Sequence, residues 1–306
     1  MNITLLGSIN MDLVIQTPRM PETGETIKGD SFHVIPGGKG ANQAVAMARQ
    51  NIQTTMIGCV GGDDFGKRQL KILRAEGIDC SYINVIKDKP TGVASILVDK
   101  QSRNSIVIVP GANEFIALSQ VEKASQAIKK ADMLICQLEV NFNAVENAIE
   151  LACSQGTKTL LNPAPAKELS DTLLQKIDYL IPNETEVFAL TGVQVEDFDS
   201  AGKAGEILLE KGVKNLLITM GKKGVAVITP DICFLVPALS VNAVDTTAAG
   251  DTFIGYFAAS IVQTNDIRHA VQFAQTAAAL TVTKLGAQSS IPTLTETNNL
   301  FEKTRE

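Results

Sequence analysis

The segment Val244-Asp245-Thr246-Thr247-Ala248-Ala249-Gly250-Asp251-Thr252-Phe253 carries the richest chemistry in this chain. Three small residues precede an aspartate, and an apolar helical pattern follows through Ile254, Phe257, Ala258 and Ile261. Small side chains at a helix start let main-chain N–H groups approach a charged oxygen, and the helix dipole favours negative charge there. A carboxylate at the same point can take a proton from a hydroxyl while those N–H groups stabilise a phosphoryl group in transfer. Asp251 suits a plain N-cap equally well, a task aspartate performs routinely.

Other segments offer the same choice between chemistry and punctuation. In Pro36-Gly37-Gly38-Lys39-Gly40-Ala41-Asn42-Gln43, the glycines permit positive φ or close backbone approach, with Lys39 and Asn42 beside a helix start. That arrangement suits a polyhydroxyl or phosphate ligand, or it is a glycine-rich turn. Asn183 and Glu186, three residues apart after an apolar run, either organise water around Mg²⁺ or form a capping box. Thr219-Met220-Gly221-Lys222-Lys223-Gly224 is a hairpin turn or a loop against which a nucleotide lies. Asn10, Asp12 and Glu139 follow strand-like runs, and open α/β sheets bind ligands at the carboxyl ends of strands. Gly61 to Lys67 imitates a P-loop, but Arg68 stands where the Mg²⁺-binding hydroxyl belongs, so the segment reads as a turn capping a helix over 65–76. No G-x-G-x-x-G occurs, so a Rossmann dinucleotide site lacks its fingerprint.

The elements that must position these groups follow from periodicity. Apolar runs at 3–7, 54–60, 133–138, 159–162, 179–182 and 216–219 read as buried strands. Ala41, Ala44, Val45 and Ala48 repeat at helical spacing, as do residues 65–76 and 142–152, and 294–303 reads as a surface helix. Strands alternating with helices predict a doubly wound, mainly parallel sheet flanked by helices. Two stretches, 12–35 and 91–109, alternate without intervening helices, with strands expected at 13–16 and 26–32; they predict a small antiparallel β lid inserted into a single domain of 306 residues.

Composition narrows the class. With 27 Lys and Arg against 33 Asp and Glu, the net charge of −6 disfavours a nucleic-acid binder or an anionic membrane surface. Five scattered cysteines without a C-x-x-C pair read as reduced thiols, and no apolar run spans a membrane, so a cytoplasmic protein is expected. Two histidines, His33 and His269, give no basis for a histidine-rich metal site.

Taken together, the segments resemble the ribokinase (PfkB-type) family of sugar kinases. The matches run nearly end to end: 7–12, 37–43, 61–66, 162–166, 182–186, 245–251 and 286–290. The resemblance implies ATP-dependent phosphorylation of D-ribose at O5, or of 2-deoxyribose or another sugar; a nucleoside kinase fits the free-sugar-type glycine run less well, and a non-catalytic sugar-binding regulator is disfavoured by the intact Asp251 segment. By motif position, Asp251 is then the general base, with Ala248, Ala249 and Gly250 as the anion hole. Sugar hydroxyls fall to Asn10, Asp12, Gly38, Lys39, Asn42 and Glu139. The nucleotide falls to Asn183, Thr219, Gly221, Gly224, Gly250 and Gln275, and Mg²⁺ to Glu186 through water. A monovalent cation, usually K⁺, is expected beside the anion hole at Asp245, Thr247, Thr281, Lys284, Gly286 and Ser290, several through backbone carbonyls. A homodimer through the lid is expected too. One departure stands out: Ala248 occupies a position that is glycine in many members.

Overall fold

The computed structural model describes residues 1–101 and 103–304; position 102, inside the 91–109 segment, and positions 305–306 lie outside the described residues. The chain opens with β1 (Asn2–Leu6), passes through β2 (Asn10–Thr17) and β3 (Ser31–Gly37), and runs directly into α1 (Lys39–Ala48). Next come β4 (Gln53–Gly61), α2 (Asp64–Ala75), β5 (Asp79–Ile86), β6 (Gly92–Asp99) and β7 (Asn104–Val109). Short helices α3 (Leu118–Lys123) and α4 (Ser125–Lys130) lead to β8 (Met133–Gln137), α5 (Phe142–Gln155) and β9 (Lys158–Asn162). Then follow α6 (Asp171–Leu174), β10 (Tyr179–Leu180), α7 (Glu184–Thr191), α8 (Phe198–Glu210), β11 (Asn215–Thr219), β12 (Val225–Ile228) and β13 (Cys233–Val236). Helices α9 (Ala249–Thr264), α10 (Ile267–Thr281) and α11 (Leu294–Lys303) complete the fold.

Strands without a polar face must be covered on both sides, and the large sheet is. Its order is β13-β12-β11-β10-β9-β8-β1-β4-β5, parallel except for the β11-β12-β13 edge. Ile3, Leu5, Met133 and Ile135 point into one core with α1, α9 and α10. Leu6, Leu134 and Cys136 point into a second core with α5 and α8. The chain leaves β1 toward β4 on one side and returns through β8 on the other. That reversal opens a crevice at the carboxyl ends of β1 and β8, where doubly wound sheets hold ligands.

The two non-helical stretches form a separate four-stranded sheet, β3-β2-β6-β7. It consists of two antiparallel hairpins joined side by side through β2 and β6, which run parallel. The expected strand at 26–32 lies instead at Ser31–Gly37. The reason is Pro36: β3 is an edge strand, so a residue lacking an N–H donor sits there without breaking a ladder bond, and the strand runs through it. β5 was not expected at all, because alternating exposure gives it no apolar run.

The turn at 61–67 pins this sheet to the core. Asp63 caps α2 by accepting from Gly66 N at 2.9 Å, and also accepts from Thr91 N at 2.8 Å and Thr91 Oγ1 at 2.5 Å. Burial pushes its carboxyl up, but the Thr91 and Gly66 donors outweigh that and hold it below the usual range. Its contribution to stability is therefore present above about pH 4 and is lost as pH falls through the depressed value. Asp63→Ala is expected to lower unfolding free energy by about 2 kcal/mol near neutral pH, with the deficit shrinking by pH 3. Denaturant midpoints at the two pH values check this.

Candidate active site

Two helix N-termini converge on the crevice. Gly38 caps α1 with φ 92°, and a Cβ there would stand 2.6 Å from Asn10 N, so only glycine fits. Ala248 caps α9 in the left-handed region, φ 60° and ψ 8°, without a side-chain cap. An alanine in that conformation costs about 1–2 kcal/mol. The uncapped first turn leaves main-chain N–H groups facing the crevice that Ala248, Ala249, Gly250 and Asp251 line.

Asp251 is not the N-cap of its helix: Ala248 is the cap, and Asp251 is the third helical residue. Its carboxylate turns away from its own helix. Oδ2 accepts from Asn42 Nδ2 at 2.9 Å and Oδ1 from Gln43 Nε2 at 3.0 Å, both on α1. The residue is 9% exposed. Asn42 Oδ1 is buried with no hydrogen-bond partner among the described residues.

Beside it, Asp12, Glu139 and Lys39 form a charged cluster beneath the small sheet. Glu139 accepts from Ser8 Oγ at 2.7 Å and stands 3.9 Å from Lys39 Nζ. Burial opposes the Lys39 charge, yet Asp251, Glu139, Glu186 and Asp12 together hold its ammonium above the ordinary value. Burial, then Glu139 and Asp251, push Asp12 up to about 7, with Lys39 offsetting part of the shift. Asn10 is oriented by Asn113, whose Nδ2 donates to Asn10 Oδ1 at 2.7 Å. The carbonyls of Asn10 and Gly37 both accept from Gln69 Nε2.

A cleft of about 750 Å³ extends from Lys39 and Asp251 past Asn183, Glu186 and Thr219. Gly221, Gly224 and Gln275 line its far part, where Gln275 Nε2 donates to Val236 O at 2.9 Å. The capping-box geometry is present: Glu186 N donates to Asn183 Oδ1, and Asn183 N to Glu186 Oε2, each at 2.9 Å. Burial raises the Glu186 carboxyl, the Asn183 N–H and Lys39 lower it, and Asp251 raises it, for a net upward shift. The capping-box expectation for this pair is met, with both Glu186 oxygens accepting from Asn183, and both residues line the cleft.

Of the residues expected around a monovalent cation, Asp245, Thr247, Lys284, Gly286 and Ser290 lie on two loops that Asp245 ties together, and Thr281 ends α10. Its Oδ1 accepts from Thr247 N at 2.9 Å and Thr247 Oγ1 at 2.6 Å, and its Oδ2 from Gly286 N at 2.9 Å. The hydroxyls of Thr281 and Ser290 donate to the carbonyls of Ala277 and Ala287. Lys284 Nζ pairs with Glu296 at 2.7 Å, so its side chain is committed to α11. Both oxygens of the one carboxylate here, Asp245, are thus engaged by Thr247 and Gly286, so oxygen donors for a monovalent ion would have to come chiefly from main-chain carbonyls.

Sequence reasoning assigned no role to Gln43, Gln137, Asn113, Gln69 or Ser8. Gln137 left a signal: it is the one polar residue in Met133–Gln137, buried completely. Asn113 and Gln69 left none, because their partners are remote in the chain.

The model of the pfkB family of carbohydrate kinases matches residues 1–294. A ribokinase of Haemophilus influenzae is 45% identical over 98% of each chain. A deoxyribokinase of Salmonella typhimurium is 42% identical over 97% of this chain and 98% of its own. The structure of Arabidopsis thaliana ribokinase complexed with ribose and ATP superposes with a TM-score of 0.91 at 30% identity, covering 98% of each chain.

The raised Asp12 carboxyl has a thermodynamic consequence. Between its ordinary value of 3.8 and about 7, the folded, ligand-free protein keeps a proton there that the unfolded chain has released. Stability therefore falls as pH rises through that window. Asp12→Asn is expected to unfold at a higher temperature than the unsubstituted protein at pH 8, with the gain gone by pH 4. Thermal unfolding across that range is the measurement, and a gain that persists at pH 4 would contradict the assignment.

Proposed function

The chain belongs to the pfkB family of carbohydrate kinases, and on that footing we propose that it transfers the γ-phosphoryl group of ATP to O5 of D-ribose. The observation that carries this reading is Asp251. It is a buried carboxylate held by two α1 amides, at an uncapped helix N-terminus, where the charged cluster under the small sheet meets the long cleft. The relatives that phosphorylate ribose, and the ribokinase structure holding ribose and ATP, support the substrate pair.

In this reading ribose lies among Asn10, Asp12, Gly38, Lys39, Asn42 and Glu139, with its 5-hydroxyl against Asp251. Asp251 takes the hydroxyl proton as the O5–phosphorus bond forms and the bond to the β-phosphate oxygen breaks, releasing ADP. The main-chain N–H groups at Ala248, Ala249 and Gly250 meet the charge of the transferring group. Asn183, Thr219, Gly221, Gly224 and Gln275 hold the nucleotide along the cleft. Glu186 would hold Mg²⁺ through water, and the ion would supply positive charge to offset that of the phosphates. The loops tied by Asp245 would hold K⁺, which would supply positive charge to the site. The small sheet acts as a lid that keeps water, a competing acceptor, from the phosphoryl group.

The lid also supports a homodimer. Every residue of β7 is exposed, and Ile106, Val107, Ile108 and Val109 form an apolar run along a sheet edge. A second copy packing its lid there would cover both the apolar side chains and the unpaired strand edge.

A second sugar is favoured by one observation: the deoxyribokinase relative is 42% identical, close to the 45% of the ribokinase relative. Asn10 and Asp12 are positioned to read the 2- and 3-hydroxyls, and a polar group left without its hydroxyl can cost orders of magnitude in rate.

ADP release from Mg·ATP with ribose, 2-deoxyribose, fructose and adenosine, each with and without K⁺, separates these readings. A K⁺-enhanced ribose signal is expected, and a larger 2-deoxyribose signal would replace the substrate while keeping the mechanism. Asp251→Asn should bind ribose with nearly unchanged affinity by calorimetry and lose about 10³-fold or more in kcat. Near-normal turnover in that variant would remove Asp251 as the base.

A further inference from the structure

The contacts behind Asp251 form an ordered relay of side-chain amides. An ionised carboxylate only accepts, so Gln43 must turn its Nε2 toward Asp251 Oδ1 and its Oε1 away. Gln43 Oε1 accepts from Gln137 Nε2 at 2.6 Å, and Gln137, the last residue of β8, is fully buried. Were Gln137 reversed, its oxygen would face the Gln43 oxygen, and Gln43 would relieve that clash only by turning its own oxygen onto the Asp251 carboxylate.

One further feature supports the same polarity, and a second makes room for the amide. Asn162, at the end of the adjacent β9, donates Nδ2 to Ile181 O at 3.0 Å and so points its Oδ1 toward Gln43 Nε2, at 3.4 Å. Gly7, just past β1, leaves room for Gln137 Oε1; any Cβ at Gly7 would collide with it. Gln137 Oε1 is buried with no hydrogen-bond partner among the described residues, so Gln137 is not oriented by what its oxygen accepts. A buried acceptor left open is costly, which makes it notable that the amide is nonetheless kept this way round.

We propose that Gln137 and Gln43 are positioning residues for phosphoryl transfer: Gln137 sets the direction of the Gln43 amide, and Gln43 holds Asp251 Oδ1 so that the carboxylate keeps one orientation toward the sugar hydroxyl. Neither residue touches sugar or nucleotide in this scheme. Asn42 holds the other oxygen, and its own Oδ1 has no partner among the described residues. The inference rests on Asp251 being the base of the reaction proposed above.

The test is a double-mutant cycle on ADP release. Gln137→Met keeps length and bulk but removes the donor; a loss of about 10- to 100-fold in kcat is expected, with KM for sugar and ATP changed by less than about twofold. Gln43→Met, the second variant should the first fail to fold, is expected to give the same split. Combined with Asp251→Asn, either change should add little to the loss already present, because the group being positioned is gone. Losses that multiply in the Asp251→Asn background, or a raised KM with unchanged kcat, would overturn the relay and leave the functional reading intact. Absence of sugar-dependent turnover in the unsubstituted protein would overturn that reading, and the relay with it.

Discussion

Much of the site depends on how closely α1 approaches α9. Gly255, in the second turn of α9, makes this approach possible: a Cβ there would stand 2.5 Å from Ala46 Cβ and 2.8 Å from Gln43 O. The two helices come from opposite ends of the chain, and their N-termini both open on the crevice at the switch between β1 and β8. A bulkier pair at this crossing would part the helices. It would also separate Asn42 and Gln43 from the carboxylate they hold, without altering a single polar residue. Packing between two apolar stripes therefore sets the geometry of a polar site, and close-packed interiors transmit such shifts rather than absorb them.

The electrostatic arrangement follows from the same convergence. Four carboxylates, Asp12, Glu139, Glu186 and Asp251, surround the single ammonium of Lys39. The imbalance is borne chiefly by Asp12, whose carboxyl is buried among like charges and driven up to about 7. Polyhydroxyl ligands suit such a place because hydroxyl protons can be shared among acceptors that otherwise repel one another. Assembling the cluster has a cost in stability, which the raised Asp12 carboxyl expresses.

The sequence displays the fold more openly than it displays the site. The central strands are runs of apolar residues with both faces covered, so their order along the chain already implies a doubly wound sheet. β3 was misplaced because Pro36 looks like a stop unless the strand is known to be an edge. β5 escaped because its outer positions are exposed and interrupt any apolar run. At the site, Asp251 stood out through the small residues before it, yet whether it capped its helix depended on where the first turn begins, which Ala248 decided by adopting a left-handed conformation. Gln43 and Gln137 are 94 positions apart, and nothing local to either announces the bond between them. Hydrogen-bond direction depends on what each neighbour can donate, and that is known only once the neighbours are in place.

The uncapped start of α9 has a consequence for how such a molecule can diverge. The groups it turns toward the crevice belong to the main chain, and every substitution at Ala248, Ala249 or Gly250 leaves an amide N–H in place, proline excepted. The opposite wall is made of side chains on β2, α1 and the loop after β8, each replaceable by a single codon change. Heritable variation therefore falls unevenly on the two walls. The wall built from backbone is shielded from it, while the wall built from side chains lies open; if the first handles phosphate and the second reads the sugar, as proposed above, lineages sharing this scaffold can drift in which sugar they accept while retaining one way of handling phosphate.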